Sequence, residues 1–308
     1  MPPPDEIVAG ATNLLDDPPG QVRMVAFWGN PGVQEPDVDT PVTFLGVDDR
    51  WRTLTVRDLG GETWYLNAGR GTLSPDGSRW VTNFDDRNVV VDLRTGNVRD
   101  LTPARMSGIA WAQDSSGVAL WSPTDPGITI FDKRGRQTDR VPVDVGKRRV
   151  FLLPEGHLTL AESVEDEVPS VRLVTISSDG AALRTQTCAL PQGYRSRDTG
   201  VRTFDGRRLL LSALVDQRRF VYRFTLLDMA TGEVIEDFEH RGDVPQIANR
   251  SAPGVYPTDI SGGPDAIYGI DPLTGDMTPL SRTYPYRDQG GYENHAASQF
   301  ATDLMFTR

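Results

Sequence analysis

Apolar positions in this chain fall in short, alternating, β-branched runs separated by Gly, Asp and Pro. No long helical stripe competes with them, so the pattern predicts strands throughout. Residues 71–101, GTLSPDGSRWVTNFDDRNVVVDLRTGNVRDL, show it best. They predict a strand at Thr72-Leu73, a Ser74-Pro75-Asp76-Gly77 turn and a second strand from Arg79 to Thr82. A polar loop from Asn83 to Arg87 leads to a third strand, Asn88 to Leu93. The turn Arg94-Thr95-Gly96-Asn97 then precedes a fourth, Val98 to Leu101. Proline pre-sets φ and glycine supplies positive φ where such turns need them.

This unit recurs. Turns between third and fourth strands end at Gly96, Gly135, Gly180, Gly232 and Gly275, spaced 39, 45, 52 and 43 residues apart. A degraded sixth copy is Val47-Asp48-Asp49-Arg50-Trp51. Turns between first and second strands recur at Ala112-Gln113-Asp114-Ser115, Leu153-Pro154-Glu155-Gly156 and Phe204-Asp205-Gly206, and faintly around Asn249 to Gly254. Four-stranded units at this period predict an all-β, six-bladed β-propeller. A tandem of sandwiches is the alternative, and the even glycine spacing argues against it. The first unit has strands at Val22–Trp28, Val42–Val47 and Trp51–Val56 but lacks an inner one, whereas the segment 296–308 has strand character and no turn after it. The C-terminal region Ala296–Phe306 is therefore expected to supply the missing inner strand. The N- and C-terminal strands then close the ring and leave no open edge. The domain expected is 22–308, preceded by an N-terminal extension, 1–21, whose residues Ile7 to Leu15 form a short helical candidate.

The run LSPDGSRWVTNF followed by VVVDLRTGNVRDLT, with the looser copy IAWAQDSSGVALWSP and ITIFDKRGR, resembles the repeats of TolB-type and WD-repeat-like propeller families. The likeness covers most of residues 22–308. The SPDG turns and the use of Arg for Lys are similar to secreted or membrane-anchored actinobacterial propeller proteins of unassigned function. The Gly-His and Trp-Asp signatures of WD repeats are absent. The resemblance implies a propeller and an extracytoplasmic location. It does not imply one activity, because such folds serve as scaffolds, binding domains and enzymes.

Composition narrows the function. The 308 residues carry 32 basic and 43 acidic side chains, a net charge of −11, which disfavours nucleic acid and anionic membranes as partners. The basic residues are 30 Arg and only two Lys, Lys133 and Lys147, which reads as coding bias. A single cysteine, Cys188, excludes an internal disulfide and a thiolate cluster. The first twenty residues lack the basic and apolar regions of a signal peptide. Membrane anchoring would need a segment absent from this chain.

Phosphate-loop, nucleophile-elbow and calcium-loop motifs do not occur. No cofactor, metal site or catalytic residue is expected. Asn249-Arg250-Ser251 is an isolated sequon and Glu162 to Glu167 an acidic loop. Loops between second and third strands carry Glu35, Asp37, Asp39, Asp85, Asp86, Asp125, Glu162, Glu165, Asp166, Glu167, Asp216, Asp259 and Asp265 against Arg87, Arg218 and Arg219. The connections from fourth to first strands lie on the same face. They hold Trp64, Tyr65, Tyr194, Arg195, Arg197, His240, Arg241, Tyr284, Tyr286, Arg287, Tyr292 and His295. An acidic rim around an aromatic and arginine-bearing centre predicts a binding face. The candidate ligand- or partner-binding residues are Trp64, Tyr65, Arg195, Arg197, His240, Tyr286, Tyr292 and His295. A non-catalytic module recognising a protein, peptide or small molecule is the leading expectation. The alternative is a propeller hydrolase or cyclase using a channel-mouth carboxylate, or His240 or His295 as base.

Overall fold

A computed structural model describes residues 10–27, 38–39, 41–62, 72–85, 87–102, 108–122, 126–164, 167–194, 199–204, 206–216, 221–241, 246–248, 267–270, 277–281, 286–287, 293–294 and 297–300. The chain is all-β, built from successive four-stranded antiparallel sheets. Strands β5 (Thr72–Leu73), β6 (Arg79–Phe84), β7 (Arg87–Asp92) and β8 (Val98–Thr102) form one sheet in chain order. The next holds β9 (Gly108–Trp111), β10 (Gly117–Trp121), β11 (Ile128–Asp132) and β12 (Gln137–Val141). The third comprises β13 (Arg149–Leu152), β14 (Leu158–Val164), β15 (Ser170–Ile176) and β16 (Ala182–Ala189). The fourth comprises β17 (Thr199–Phe204), β18 (Arg208–Asp216), β19 (Val221–Asp228) and β20 (Val234–Arg241).

The chain-terminal sheet is mixed. Strands β2 (Val22–Phe27), β3 (Val42–Gly46) and β4 (Trp51–Leu54) run antiparallel, and β26 (Ala297–Phe300) pairs with β2 in the register Met24↔Phe300 to Phe27↔Ala297. On the far side, β1 (Thr12–Asn13) adds a parallel fifth strand to β4. Of the short helical candidate over Ile7–Leu15, residues 7–9 lie outside the described residues, Gly10 is helical, and Thr12–Asn13 form a strand instead. Leu14 is fully buried against the core, so tertiary packing overrides a local helical tendency. Near the C-terminus, β21 (Gln246–Ala248), β22 (Ile267–Ile270) and β23 (Met277–Ser281) form a three-stranded sheet whose first pair is parallel. A small hairpin joins β24 (Tyr286–Arg287) to β25 (Glu293–Asn294).

Neighbouring sheets are welded in chain order. Phe44 meets Trp80 edge-on at 5.2 Å. The Trp111 indole donates across to the Thr72 carbonyl at 3.1 Å. Ala112 bridges in parallel to Leu152, and the Gln186 amide donates to the Met229 carbonyl. Apolar clusters span these same junctions, because each sheet is apolar on both faces and must be covered twice. The fully buried pattern of β6, RWVTNF, is the extreme case.

The turn grammar holds in detail. Asp92, Asp132 and Asp228 each accept backbone N–H bonds within the turn that follows. In the degraded copy, Asp48 accepts from Arg50 N–H, and Asp49 takes the left-handed conformation (φ 61°) that glycine takes elsewhere. Ser115 (φ 59°) likewise replaces the glycine of the SPDG turn. The polar loop expected at Asn83–Arg87 is corrected to a tight hairpin. Asn83 pairs with Asn88 and Phe84 with Arg87, and Asp85 turns the chain at φ 46°. Aspartate is among the few non-glycine residues that enter that conformation at modest cost.

The third-to-fourth turns at Gly96, Gly135 and Gly180 pack on the element preceding them. A Cβ at Gly135 would meet Arg99 and Leu101 at 3.0 and 3.1 Å, and one at Gly180 the Pro142 carbonyl at 2.6 Å. For Gly96 the shelf is the N-terminal segment: a Cβ there would lie 2.8 Å from the Leu15 carbonyl, at φ 71°. Gly96→Val adds a β-branched residue in a left-handed conformation to a backbone clash, and is expected to cost about 2–4 kcal/mol. Urea unfolding monitored by tryptophan fluorescence checks this; an unchanged midpoint would contradict the packing described.

Strands β12, β16 and β20 carry bulges near their starts, leaving Thr138, Leu183 and Ile235 with no residue directly opposite. Leu183 (59% exposed) and Ile235 (41%) lie in the exposed first halves of these strands. The bulges twist the open edges away from edge-to-edge pairing.

Candidate functional site

In each antiparallel unit the hairpin between second and third strands and the connection from fourth to first leave the sheet at one end. Phe84, Arg87 and Thr102 mark that end in the sheet β5–β8. The acidic residues described there are largely engaged. Asp39 takes two bonds from Arg57, at 2.6 and 2.9 Å, and that guanidinium holds its carboxyl below the usual range. Asp85 accepts from the Glu62 N–H at 2.6 Å. Glu162 lies within β14, not in a loop, and pairs with Arg172 at 3.1 Å. Arg87 reaches Asp100 at 2.6 Å and sits over the Phe84 ring. At two of these positions the expected rim charge is answered by arginines outside the loops, Arg57 beside Asp39 and Arg172 beside Glu162, while Asp85 is held by a backbone N–H.

One connection on this end is anchored by a built polar cluster. Tyr194, 5% exposed, directs its hydroxyl to Thr225 Oγ1 at 2.7 Å, and the Arg223 guanidinium lies 5.4 Å over its ring. Arg223 donates to Asp237 Oδ1 at 2.9 Å and to the Gln192 carbonyl at 2.6 Å, while Thr225 donates to Asp237 at 2.8 Å. Burial pushes the Tyr194 phenol up to about 12, so it stays protonated. The hydrogen bonds from Arg223 hold Asp237 ionised, below its ordinary range. Every member has a partner in this cluster, so its chemistry is positional. It fixes residues 190–194 on β19 and β20 just before Arg195 and Arg197.

Of the sequence-derived candidates, Trp64, Tyr65, Arg195, Arg197, Tyr292 and His295 lie outside the described residues. His240 falls in β20 rather than in a connection, opposite Tyr222, and Tyr286 falls in β24 opposite Asn294. The backbone of β24 and β25 thus sets Tyr286 next to the chain positions that flank Tyr292 and His295. Sequence reading missed Arg223, Thr225 and Asp237 as the support of Tyr194. The signal was available: the register opposes Thr225 to Asp237, placing Arg223 and Asp237 diagonally across one strand pair. Among the described residues, no three His, Cys, Asp or Glu side chains converge as a metal site requires.

No protein-family model matches the chain, and no curated protein does. Solved structures do. TolB from Acinetobacter baumannii shares 15% identity over 90% of this chain and 64% of its own, with a TM-score of 0.48. The β-propeller domain of the Trilobed protease from Pyrococcus furiosus, described as having an open velcro topology, shares 13% identity over 68% of this chain and 70% of its own, at 0.44. The Cps50 (Swd1) β-propeller domain of Myceliophteria thermophila shares 16% over 55% and 54%, at 0.33. The chain spans about half to two thirds of the length of several such structures. The molecule is an all-β protein of repeated four-stranded antiparallel sheets, and its structural neighbours include TolB and other β-propeller proteins.

Proposed function

We propose that this chain is a six-bladed propeller module, residues 22–308, closed by β26, that binds a partner without catalysing a reaction. One observation carries the reading. The first strands of successive sheets stand side by side, as the Ala112↔Leu152 bridge and the Trp111-to-Thr72 bond show. A radial order of this kind brings one loop from every blade to a common mouth, where several can reach one ligand. The binding face is the one bearing the fourth-to-first connections, centred on Trp64, Tyr65, Arg195, Arg197, His240, Tyr286, Tyr292 and His295. The Tyr194 cluster holds one of these connections in place. Net charge of −11 favours cationic or neutral peptides over polyanions.

An array of immobilised peptides of graded charge, probed with the intact protein, tests this. Cationic members are expected to bind, with affinity falling about tenfold or more in Tyr65→Ala and Arg197→Ala and unchanged in Arg134→Ala on the opposite turns. Loss caused by Arg134→Ala alone would move the site to the face of Gly77, Gly96 and Gly135. Turnover of a bound peptide that His240→Ala abolishes would favour an enzyme instead.

A further inference from the structure

The outer edge of the first sheet is occupied differently from the others. Four-stranded sheets end at β8, β12, β16 and β20, whereas β4 carries a further strand supplied by the N-terminal segment. That segment is held in three ways. Its backbone pairs in parallel with β4, Thr12 opposite Arg52 and Asn13 opposite Thr53, and Leu14 N–H donates to the Thr53 carbonyl at 2.8 Å. Its Leu14 side chain fills an apolar pocket and is 0% exposed. Its Asp17 meets a buried guanidinium: Arg52 Nε donates to the Asp17 carbonyl at 2.8 Å, and Arg52 Nη2 lies 3.2 Å from the carboxylate, which Arg50 also reaches at 2.9 Å.

The receptor side is preassembled around Arg52, whose side chain is 2% exposed. Asp48 grips it with both carboxylate oxygens at 2.7 Å, and the Arg50 carbonyl accepts at 3.2 Å. Arg52 has five N–H donors in a fixed fork, and Asp48 and Arg50 leave part of it for an incoming carboxylate. A paired edge, an apolar pocket and a charged anchor three residues further on are the parts of strand-addition peptide recognition. The segment itself is compact: Leu15 N–H donates to Asn13 Oδ1 at 2.8 Å and Asp17 N–H to the Asn13 carbonyl at 3.1 Å. It is followed by Pro18-Pro19-Gly20, where the Gly20 N–H donates to the Leu93 carbonyl at 2.9 Å and ties the link down.

We infer that the outer edge of β4 is a peptide-docking groove for a partner segment that pairs briefly with the strand and then turns, bearing Leu and, three residues later, Asp or Glu, and that residues 12–17 occupy it in cis as a displaceable pseudo-ligand. The groove lies on the outer edge, so it stands or falls separately from the binding face above. The cis segment competes at an effective concentration in the millimolar range, which masks the groove from weak partners.

The test uses the full chain and a fluorescent peptide of residues 10–21, GATNLLDDPPGQ. Leu14→Ser weakens the cis segment and leaves the groove intact, so it is expected to bind the peptide at least about tenfold more tightly than the parent chain does. A peptide with Ser and Lys in place of its Leu14 and Asp17 should not bind. A Leu14→Ser chain that retains a cooperative melt yet fails to bind the peptide overturns the inference. If Leu14→Ser does not fold, hydrogen exchange on the parent chain decides. The Leu14 amide is expected to exchange at least about a hundredfold faster than amides of β3, through local opening. Equal rates would mean that the segment leaves only on global unfolding, and would overturn it too. So would a parent-chain dimer abolished by Leu14→Ser, because the occupant would then be a second copy.

Discussion

Removal of residues 294–308 is expected to abolish cooperative folding. The deletion takes away β26, and with it the pairing of Met24 to Phe27 with Phe300 to Ala297. The inner edge of β2 would be left with unpaired backbone groups beside Val22 and Val25, both 0% exposed in the intact chain. Unpaired backbone at a buried edge costs about 1–3 kcal/mol per group, and several such groups together exceed much of a domain's net stability of about 5–15 kcal/mol. The truncated protein should retain far-ultraviolet β signal, bind an apolar dye and melt without a sharp transition. A truncated chain whose melting curve matches that of the full protein would show that β26 is dispensable.

Asp48→Ala is expected to be the most destabilising single change around Arg52. It leaves a guanidinium that is 2% exposed without its two-pronged partner. Stripping a fully buried ion pair of one member costs about 3–5 kcal/mol. Asp48 is itself 39% exposed, and Asp17 remains 3.2 Å from Arg52, so the cost here is discounted to about 2 kcal/mol. Arg52→Met should cost less than Asp48→Ala, because it leaves two carboxylates that can reach water rather than a buried cation. The Arg52 hydrogen bonds hold the Asp48 carboxyl down to about 2, against 3.8 when unfolded. Its contribution is therefore complete above about pH 4, falls as the pH drops from 4 to 2, and is gone below. Urea titrations at pH 6, 4 and 2 should show the gap between the parent and Asp48→Ala narrowing as pH falls. A gap independent of pH would place the effect in packing rather than charge.

Much of the fold was legible because its repeats are written in backbone chemistry. Asp, or Ser177 in one unit, at the head of a turn and a residue able to adopt positive φ near its end mark the third-to-fourth hairpins among the described residues, and even the degraded copy obeys with Asp49 in place of glycine. Strand pairing follows from alternation once those turns are set. Three features escaped for physical reasons. The hairpin at Asp85 is tighter than its polar sequence implies, since a non-glycine residue accepts the left-handed turn. The segment Thr12–Asp17 has no strong local preference of its own and takes its form from β4 and the Leu14 pocket. Arg52, a charge in the run Trp-Arg-Thr-Leu, shares the buried parity of Leu54. Loop acidity misled because the cations that answer it, Arg57 and Arg172, lie outside the loops that were counted.

The candidate face was legible as a set of connections and less so as a site. Tyr194 belongs to it in sequence but serves as an anchor, and the residues that hold it come from strands β19 and β20 thirty to forty positions downstream. Side-chain type in a loop marks where chemistry is available. Which part of it faces a ligand is decided by partners that only the strand register brings near.

A disulfide across the chain termini tests the central claim most directly. Ala26 and Ser298 are opposed in the β2–β26 register. Opposed residues of antiparallel strands have Cα atoms about 4.5–5.5 Å apart, within the range a disulfide spans. In a Cys188→Ala background, Ala26→Cys with Ser298→Cys is expected to oxidise within one chain, to run faster on a non-reducing gel and to raise the melting temperature. A folded protein in which both thiols stay free under mild oxidation, or which links only between chains, would contradict a propeller closed by its C-terminal strand.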